Sequence, residues 1–409
     1  MTMIESDILV AGGGIAGLTA AARLAADGHR VLCADPKPAA DGPDAEDGAD
    51  RRTTAFLMPS VETFRRAGAW ATMQADAIAL AEMRIVSATG GSGIASGPAP
   101  VPRAEAAFPS REISPAPFGY NVANMAARRA LSAALRTAPN GQLESGVGVE
   151  RVTLRRDDAV ARLSDGRQVR ARLVVAADGR DSRLRDAAGI PIRRWHHGQK
   201  ALVLTVQHDA PHRHISTEFH RPGGPLVLVP LPDIDGRPAS SVVWVNASAR
   251  ADALMALDDA SLATALTAET MGREGPLTIA GRRALWPVIS QIATRLHAER
   301  LALVGEPAHV VPPTGAQGAN LGVADAEALA GIVADRVAAG EDIGGSDALA
   351  AYTRARLADT ALRVGGTDLL NRLAKTEMAP VIGLRSLGVG AVARVPALRR
   401  ALMRVGLGG

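Results

Sequence analysis

Residues 303–322, LVGEPAHVVPPTGAQGANLG, bring together an acid, two consecutive prolines and a glycine-containing loop just before a predicted helix. The prolines fix φ and make the loop rigid, and Gly315 leaves bare backbone on which a flat group can lie. At the start of the predicted 320–338 helix, the N–H groups of residues 318–320 would stabilise negative charge through the helix dipole. An ordinary strand–loop–helix connection would explain the glycines but not the whole set. The stretch therefore predicts a site for a flat, electron-rich group.

A second glycine pattern lies near the N-terminus. Gly12, Gly14 and Gly17 form a GxGxxG motif between a predicted strand and a predicted helix. The first glycine permits a tight turn, the second lets the backbone approach a pyrophosphate, and the third lets helix and strand pack closely. Asp35 ends the next predicted strand, where an acid can bind the ribose hydroxyls of adenosine and disfavours a 2′-phosphate. The pattern favours FAD or NAD over NADP, and a glycine-rich turn without a ligand is the alternative.

Composition limits the other classes of function. The 409 residues carry a net charge of +4 and a pI of 9.8, but aromatic residues make up only 3% and the basic residues are dispersed, so nucleic-acid binding is not expected. The single cysteine, Cys33, rules out an internal disulfide and suits a reducing cytoplasm. We find no secretory signal and no apolar stretch of about 18 residues, so we expect a cytoplasmic protein. The histidines and acids show no metal-ligand spacing, and His309 is expected to be a structural hydrogen-bonding residue.

A third motif, LVVAADGRDSRLR at 173–185, is an apolar predicted strand followed by Asp178 and Gly179. In their order along the chain, GxGxxG, this DG motif and Gly305-Glu306 (a GD-type motif) resemble the signature of the class A flavoprotein aromatic hydroxylases. HVVPPTGAQGANLG is very similar to the flavin-facing loop of p-hydroxybenzoate hydroxylase. Stretches such as RRTTAFLMPSVETFRRAGAW and FGYNVANMAARRAL resemble the bacterial ubiquinone-biosynthesis hydroxylases. The resemblance covers most of the chain and is specific in combination.

The order of predicted strands and helices indicates an interleaved α/β protein. The stretch 54–74 has a helical pattern, 36–50 is an acidic loop, and several strands at short spacing in 200–247 predict an antiparallel sheet. We expect a p-hydroxybenzoate hydroxylase-like fold, in which a Rossmann-like FAD-binding domain is interleaved with an antiparallel substrate sheet and followed by helices. The predicted segments are 1–80, 111–190 and 286–345 for FAD binding, 81–110 and 191–285 for the substrate sheet, and 346–409 for the C-terminal helical region.

The resemblance implies roles for individual residues. Reduced flavin carries negative charge near its N1–C2 carbonyl edge, which the N–H groups at the helix start would stabilise. Glu306 stands where the family motif usually has Asp, and its extra methylene still allows contact with a ribityl hydroxyl. Phe219 and Pro230 are the candidate substrate contacts, and no catalytic acid or base is identified. The residues assigned to FAD are Gly12, Gly14, Ala16 and Gly17 at the pyrophosphate, Asp35 at the ribose, Arg52, Asn124 and Arg128 at the pyrophosphate or ribityl chain, Asp178 and Gly179 near the pyrophosphate, and Gly305, Glu306, Pro313, Gly315, Gln317, Gly318, Ala319 and Asn320 around the ribityl chain and ring.

The implied activity is FAD-dependent aromatic hydroxylation. NAD(P)H reduces the flavin, O2 forms a flavin hydroperoxide, and one oxygen atom passes to the ring of a prenylated phenol in ubiquinone biosynthesis. With only two tyrosines, Tyr120 and Tyr352, we assign no tyrosine network for deprotonating a phenol like that of p-hydroxybenzoate hydroxylase, which argues against a benzoate substrate. Two alternatives remain: a hydroxylase of a small soluble aromatic compound, and a catalytically silent flavin-binding subunit of a biosynthetic complex.

The C-terminal segment suggests a further partner. From Met378 to Gly409 the sequence contains five arginines and no acid among many apolar residues. Such a segment predicts either peripheral contact with the inner face of an anionic membrane or helices packed on the flavin domain. A membrane would supply a polyprenylated substrate. Other ubiquinone-biosynthesis proteins are also expected partners.

Overall fold

The structure, a computed structural model, describes residues 3–39, 52–89, 100–220, 223–313, 315–375, 388, 390 and 392–407. Most of the predicted acidic loop, 40–50, and the first part of the basic C-terminal segment, 378–387, lie outside these residues. Within the described ranges, no helix is long and apolar enough to cross a membrane.

Strands β1–β20 are distributed over three sheets. In chain order they are β1 Met3–Ala11, β2 Val31–Asp35, β3 Thr53–Leu57, β4 Ile78–Leu80, β5 Glu82–Thr89, β6 Val101–Pro109, β7 Gly119–Ala123, β8 Gly141–Ser145, β9 Val149–Leu154, β10 Ala159–Leu163, β11 Gln168–Ala176, β12 Ile192–Gln207, β13 Ile215–His220, β14 Leu226–Ile234, β15 Arg237–Ala247, β16 Thr278–Ile279, β17 Ala284–Ala293, β18 His297–Ala298, β19 Leu301–Leu303 and β20 His309–Val310.

The helices precede, separate and follow these strands. They are α1 Ile15–Ala26, α2 Met58–Arg66, α3 Trp70–Met73, α4 Asn124–Thr137, α5 Arg183–Ala187, α6 Ser248–Met255, α7 Asp259–Glu269, α8 Gln317–Ala338, α9 Ser346–Lys375 and α10 Pro396–Leu407. The helical pattern predicted for 54–74 is wrong at its start, because Thr53–Leu57 pairs with Gly119–Ala123 as a strand before α2 begins. The tertiary pairing overrides a local pattern that periodicity alone assigned to a helix.

The first sheet has the order β18-β19-β11-β1-β2-β8, with β10 and β9 continuing beside β11. Strands β1, β2, β11 and β19 are mutually parallel where they pair. All five residues of β2 are buried, as expected for a parallel strand with both faces covered. Side chains of α1, α4 and α8 join these strands in one hydrophobic core, which fixes the edge where the strands end.

The second sheet, in the order β20-β17-β12-β15-β14-β13-β5-β6, has two different faces. One face is fully buried under α6 and α7, where Leu202, Trp244 and Phe219 pack with Leu254 and Leu262. The opposite face, which we call the open face, is mostly half-buried, and its Trp286 meets Arg52. We call the region between the open face and the carboxyl edge of the first sheet the cleft. A small third sheet, β3-β7-β4, lies between the open face and the first sheet's helices. The α/β fold class is as predicted. The strands of 200–247 are antiparallel as predicted, whereas β13 and β5 pair in parallel.

Candidate cofactor and substrate site

The carboxyl ends of four parallel strands lie at one edge of the first sheet, and the predicted cofactor motifs follow them. In register, Ala11 of β1 lies between Ala34 of β2 and Ala176 of β11, and Ala176 pairs with Leu303 of β19. The GxGxxG loop, the DG motif and the GD-type motif therefore meet at this edge, where open α/β sheets bind their ligands.

The GxGxxG loop contains two glycines that leave no room for a side chain. Gly12 has φ +109°, and a Cβ there would lie 2.3 Å from the Ala177 carbonyl oxygen, while one at Gly17 would lie 2.0 Å from the Gly12 carbonyl oxygen. A Cβ at Gly14 would meet nothing within 4 Å, so the space beside this residue is open. α1 begins at the next residue, Ile15, without a side-chain cap or an acid in its first turn. Its N-terminal N–H groups can therefore bind a phosphate in that space.

Asp35 ends β2 with its side chain held beside the glycine loop. Its Oδ1 accepts a hydrogen bond from the Lys37 N–H at 3.0 Å, and its Oδ2 lies 3.4 Å from Nη2 of Arg128. The Nε of Arg128 donates to the Gly13 carbonyl oxygen at 3.0 Å. A Cβ at Gly13, which sequence reasoning did not single out, would lie 2.4 Å from the Asp35 carboxylate. Asp35 and Arg128 thus stand where the adenosine half of a dinucleotide would lie.

The carboxylate of Asp178 makes its contacts within its own loop. It accepts hydrogen bonds from the Ser182 hydroxyl at 2.5 Å and from the Leu184 N–H at 3.3 Å, which fixes the turn before α5. Gly179 follows with φ +96°. The Asp178 backbone nitrogen would lie 3.0 Å from a Cβ at Gly12. The backbone of the DG motif, rather than its carboxylate, therefore adjoins the glycine loop.

Glu306 lies on a loop whose backbone is held at several points. Gln291, fully buried on β17, donates to the carbonyl oxygens of Arg180 and Glu306 at 3.2 Å each. Arg185 donates to the carbonyl oxygens of Arg180 and Pro307. The Glu306 side chain is 51% exposed, and its Oε2 lies 3.7 Å from Nε of Arg180. Its carboxylate is therefore accessible to a ligand hydroxyl.

A close contact between three segments fixes the GD-type motif against two helices. Gly305 has φ +74°, and a Cβ there would lie 2.9 Å from the Ala16 Cβ. A Cβ at Gly322 would lie 3.0 Å from the same Ala16 atom. Ala16, assigned to the cofactor by resemblance, thus packs between the GD-type loop and α8.

The head of α8 presents free backbone donors at residues 317–319, whereas the sequence predicted donors at 318–320. α8 begins at Gln317 rather than at residue 320, after Ala316 in a left-handed conformation with φ +55°, and no side chain caps it. Helix geometry leaves the N–H groups of Gln317, Gly318 and Ala319 without acceptors inside the helix. The exposed Pro313, and Gly315 with φ +61°, lie just before this head.

Asn320 anchors the head of α8 through its side chain. Its Oδ1 accepts hydrogen bonds from the Leu57 N–H at 2.9 Å and the Ser60 hydroxyl at 2.7 Å. Its Nδ2 donates to the carbonyl oxygens of Ala55 at 2.8 Å and Ala316 at 2.7 Å. All four bonds that the amide can make are used, so the Asn320 side chain positions the loop rather than a ligand.

A buried ionic network holds the loop at both ends, and sequence reasoning missed its central residue, Asp325. The fully buried Asp325 carboxylate accepts hydrogen bonds from the Gly305 N–H at 3.1 Å, His309 Nε2 at 2.6 Å and Arg356 Nε at 2.8 Å. Burial opposes its ionisation, but His309 and Arg356 outweigh that effect and lower the pKa of Asp325. The bonding of His309 agrees with its predicted structural role. An acid within the apolar stretch after Asn320 was the signal that could have revealed Asp325.

The network continues from Arg356 along α9 to the head of α8. Arg356 Nη1 donates to Asp359 at 2.9 Å, and Asp359 accepts from Arg363 Nε at 2.8 Å. Arg363 Nη1 then donates to the Gln317 side-chain oxygen at 2.9 Å. One chain of contacts thus links the start of the flavin-facing loop, at Gly305, to its end at Gln317.

The small sheet and the open face of the second sheet approach each other across the cleft. The Arg52 guanidinium lies over the Trp286 ring, with Cζ 4.4 Å from the ring centroid. The Arg52 carbonyl oxygen accepts from the Asn124 N–H at 2.9 Å, and the Thr54 hydroxyl donates to Asn124 Oδ1 at 2.7 Å. Arg52 and Asn124 therefore lie together, between the cofactor edge and the substrate sheet.

Phe219 does not line the cleft, and its assignment to the substrate is wrong. Its side chain is fully buried on the helix-covered face of the second sheet, where Val86 and Leu226 pack against it. Pro230 is also buried, and its carbonyl oxygen accepts a hydrogen bond from Asn121 Nδ2 at 2.8 Å, which joins β14 to the small sheet. A strand places alternate residues on opposite faces, so the position of Phe219 depended on a register that the sequence did not specify. Among the described residues, no cluster of His, Cys, Asp and Glu could hold a metal ion.

Comparison with known proteins identifies the family. The profile of the FAD binding domain family matches residues 5–363. This chain belongs to that family. Its cofactor is FAD, and the open space at Gly14, the uncapped start of α1, the buried Asp35 and the free N–H groups at the head of α8 all fit that dinucleotide.

Relatives and solved structures extend over the whole chain. The ubiquinone hydroxylase UbiL of Rhodospirillum rubrum is 35% identical over 405 residues, covering 98% of this chain and 90% of that protein. The 3-demethoxyubiquinol 3-hydroxylase of Escherichia coli K12 is 28% identical over 421 residues and covers 100% of both. The structure of p-nitrophenol 4-monooxygenase PnpA from Pseudomonas putida DLL-E4 has a TM-score of 0.79 at 20% identity, covering 100% of this chain and 99% of that one. The likeness to this monooxygenase structure confirms the predicted p-hydroxybenzoate hydroxylase-like fold.

We predict that Gly14→Val removes FAD without unfolding the protein. Gly14 has φ −73° and ψ 175°, a conformation that valine adopts readily, and the new side chain would enter the space left for the pyrophosphate. The purified variant should have lost the flavin absorbance of the parent while keeping its circular dichroism. Gly331→Val, at another glycine with open space beside it, is the matched control and should stay yellow. Full FAD occupancy in Gly14→Val would contradict the assignment of this loop.

For Glu306, we predict that Ala weakens FAD binding and Asp is tolerated. Loss of a hydrogen bond from a ribityl hydroxyl to a carboxylate should cost about 1.5–3 kcal/mol, or roughly a 10- to 150-fold rise in Kd. Titration of apoprotein with FAD, followed by flavin fluorescence, measures the effect. Glu341→Ala is the control, because Glu341 is also 51% exposed but lies after α8. Parental affinity in Glu306→Ala would show that the residue does not touch the cofactor.

Proposed function

We propose that this chain is an FAD-dependent monooxygenase that hydroxylates the aromatic ring of a prenylated phenol in ubiquinone biosynthesis, with NAD(P)H as reductant and O2 as the oxygen source. The observation that carries the proposal is the 35% identity to a ubiquinone hydroxylase over 98% of the chain. The half-buried, mostly apolar row across the open face supports it, because an apolar aromatic substrate needs such a surface.

When bound and reduced, FAD supplies the activation of O2, and the protein's residues position the reactants. The uncapped start of α1 would bind the pyrophosphate, and the N–H groups of Gln317, Gly318 and Ala319 would stabilise negative charge on the ring edge. The anchored Asn320 and the network around Asp325 hold these donors before the ligand arrives. The open face keeps water away from the ring and orients the substrate.

The test of the proposal is oxygen transfer from labelled gas. FAD-loaded protein, NADH or NADPH and a short-chain 2-prenylphenol are incubated under ¹⁸O2, and the product is analysed by mass spectrometry. The proposal expects substrate-stimulated NAD(P)H oxidation and one ¹⁸O atom in the ring product. Label only in a small soluble aromatic would favour that substrate class instead, and absence of turnover with every phenol would favour a silent flavin-binding subunit.

We further propose that α10 makes peripheral contact with an anionic membrane. Leu398 and Leu402 are 42% and 46% exposed, and their spacing of four places them on one side of the helix, while Val395, just before the helix, is 46% exposed. Arg399 pairs with Glu112 at 2.7 Å, immediately beyond β6, while Arg400 is exposed. The helix is therefore attached beside the substrate sheet and presents an apolar strip flanked by arginine. That arrangement supports delivery of a lipid substrate to the cleft.

We predict that the double variant Leu398→Ser, Leu402→Ser loses flotation with anionic liposomes but retains FAD. Removal of two exposed apolar side chains should reduce binding at least about 10-fold, because each contributes on the order of 1 kcal/mol or more when buried in the interface. Val337→Ser, at a residue 50% exposed on α8, is the control and should float like the parent. If the parent itself does not bind anionic liposomes in a salt-sensitive way, α10 is only structural.

A further inference from the structure

On the open face, the charged residue Glu218 lies between the apolar residues Val227 and Ile85. Glu218 lies in a single cross-strand row that spans seven strands of the second sheet in continuous register. Because paired residues point to the same face, the row forms one continuous strip along the cleft. From one edge to the other, the row reads Ala284, Val203, Val243, Val227, Glu218, Ile85 and Ala106.

His220 holds Glu218 in place. The two residues are two positions apart on β13, so both side chains lie on the open face, and His220 Nε2 is 2.7 Å from Glu218 Oε1. Their side chains are only 21% and 18% exposed. Burial opposes ionisation of Glu218, but the charge and hydrogen bond of His220 outweigh it and lower the pKa of the carboxyl. In the described part of the chain, His220 is the only hydrogen-bonding partner of Glu218, so Oε2 can accept a further donor.

Contacts with the cofactor side place this row in the cleft. At one end of the sheet, β17 pairs with β20, which leads into the flavin-facing loop, and Trp286 of β17 meets Arg52. Nearer the pair, Pro230 of β14 is bonded to Asn121 of the small sheet, and β14 is the direct neighbour of β13. The Glu218–His220 pair therefore lies on the strand next to β14, on the same face of the sheet as Trp286, which meets Arg52.

We propose that Glu218, oriented by His220, accepts a hydrogen bond from the hydroxyl group of a neutral phenol and thereby discriminates against aromatic carboxylates. This inference rests on the proposed function and specifies its substrate class. An ionised carboxylate accepts hydrogen bonds but donates none, so it matches a phenol hydroxyl. A substrate carboxylate in the same apolar strip would instead bring like charge close to Glu218, and specificity often depends on such a repulsive element.

The test compares two probes that differ only in a carboxylate, a 2-prenylphenol and the matching 3-prenyl-4-hydroxybenzoate. Dissociation constants for FAD-loaded protein are measured from the perturbation of the flavin absorption spectrum. The parent should bind the phenol at least about 10-fold more tightly than the acid. Glu218→Gln should reduce that preference to within about 3-fold, because the hydrogen bond weakens and the repulsion is lost.

Two further variants separate the effect of the Glu218 charge on probe binding from unspecific effects of substitution in this sheet. Glu218→Asp keeps the charge and should keep most of the preference for the phenol over the acid. This variant still tests the proposal if Glu218→Gln folds poorly. Glu105→Gln changes an exposed acid on β6 that pairs with Arg273, and should leave both constants unchanged.

The outcomes distinguish the two proposals. If the parent hydroxylates and prefers the phenol, but Glu218→Gln shows the same preference, the role of Glu218 is overturned and the proposed function stands. If the parent binds the acid as tightly as the phenol, or binds neither probe, both the role of Glu218 and the proposed substrate class are overturned.

Discussion

The buried carboxylate of Asp325 is the interaction on which the arrangement of the cofactor cleft depends. It joins the backbone of Gly305, at the end of β19, to α8 and, through Arg356, to α9. Burying a charge is costly unless it is paired, and three donors compensate here. The lowered pKa of Asp325 means that its stabilising effect is present at neutral pH and is lost as the pH falls below the ordinary value of 3.8.

The Asp325 carboxylate links segments that lie far apart in the sequence. The same network reaches Gln317, so one set of contacts connects the two ends of the flavin-facing loop. Fixed N–H groups can stabilise charge on a ligand without reorganising when the reaction occurs, which is the main electrostatic contribution that a protein makes to such chemistry. On the opposite wall, the cross-strand row from Ala284 to Ala106 is apolar except at Glu218. One wall therefore carries the cofactor motifs, and the other carries the proposed substrate contact, Glu218.

The sequence predicted the cofactor edge better than the substrate wall. Gly12, Gly17 and Asp35 were recognisable because their roles depend on local geometry at the ends of strands. Asp325 was missed because its partners, His309 and Arg356, come together only after α8 and α9 pack. Phe219 was misassigned because a shift of one residue in a strand moves a side chain to the other face. Local sequence patterns could not place Asp325 or Phe219, because their positions depend on contacts between segments that are distant in the sequence.

The most direct measurement is the FAD affinity and thermal stability of Asp325→Asn, compared with Asp335→Asn at an exposed position on the same helix. Replacing the buried charge breaks the buried ion pair and leaves Arg356 with only the more exposed Asp359 as its partner, which should lower the free energy of unfolding by about 3–5 kcal/mol. Because the loop would also lose its fixed arrangement, we expect the Kd for FAD to rise at least about 10-fold, while Asp335→Asn resembles the parent. An Asp325→Asn protein with the parent's FAD affinity and unfolding temperature would contradict the central role of this carboxylate.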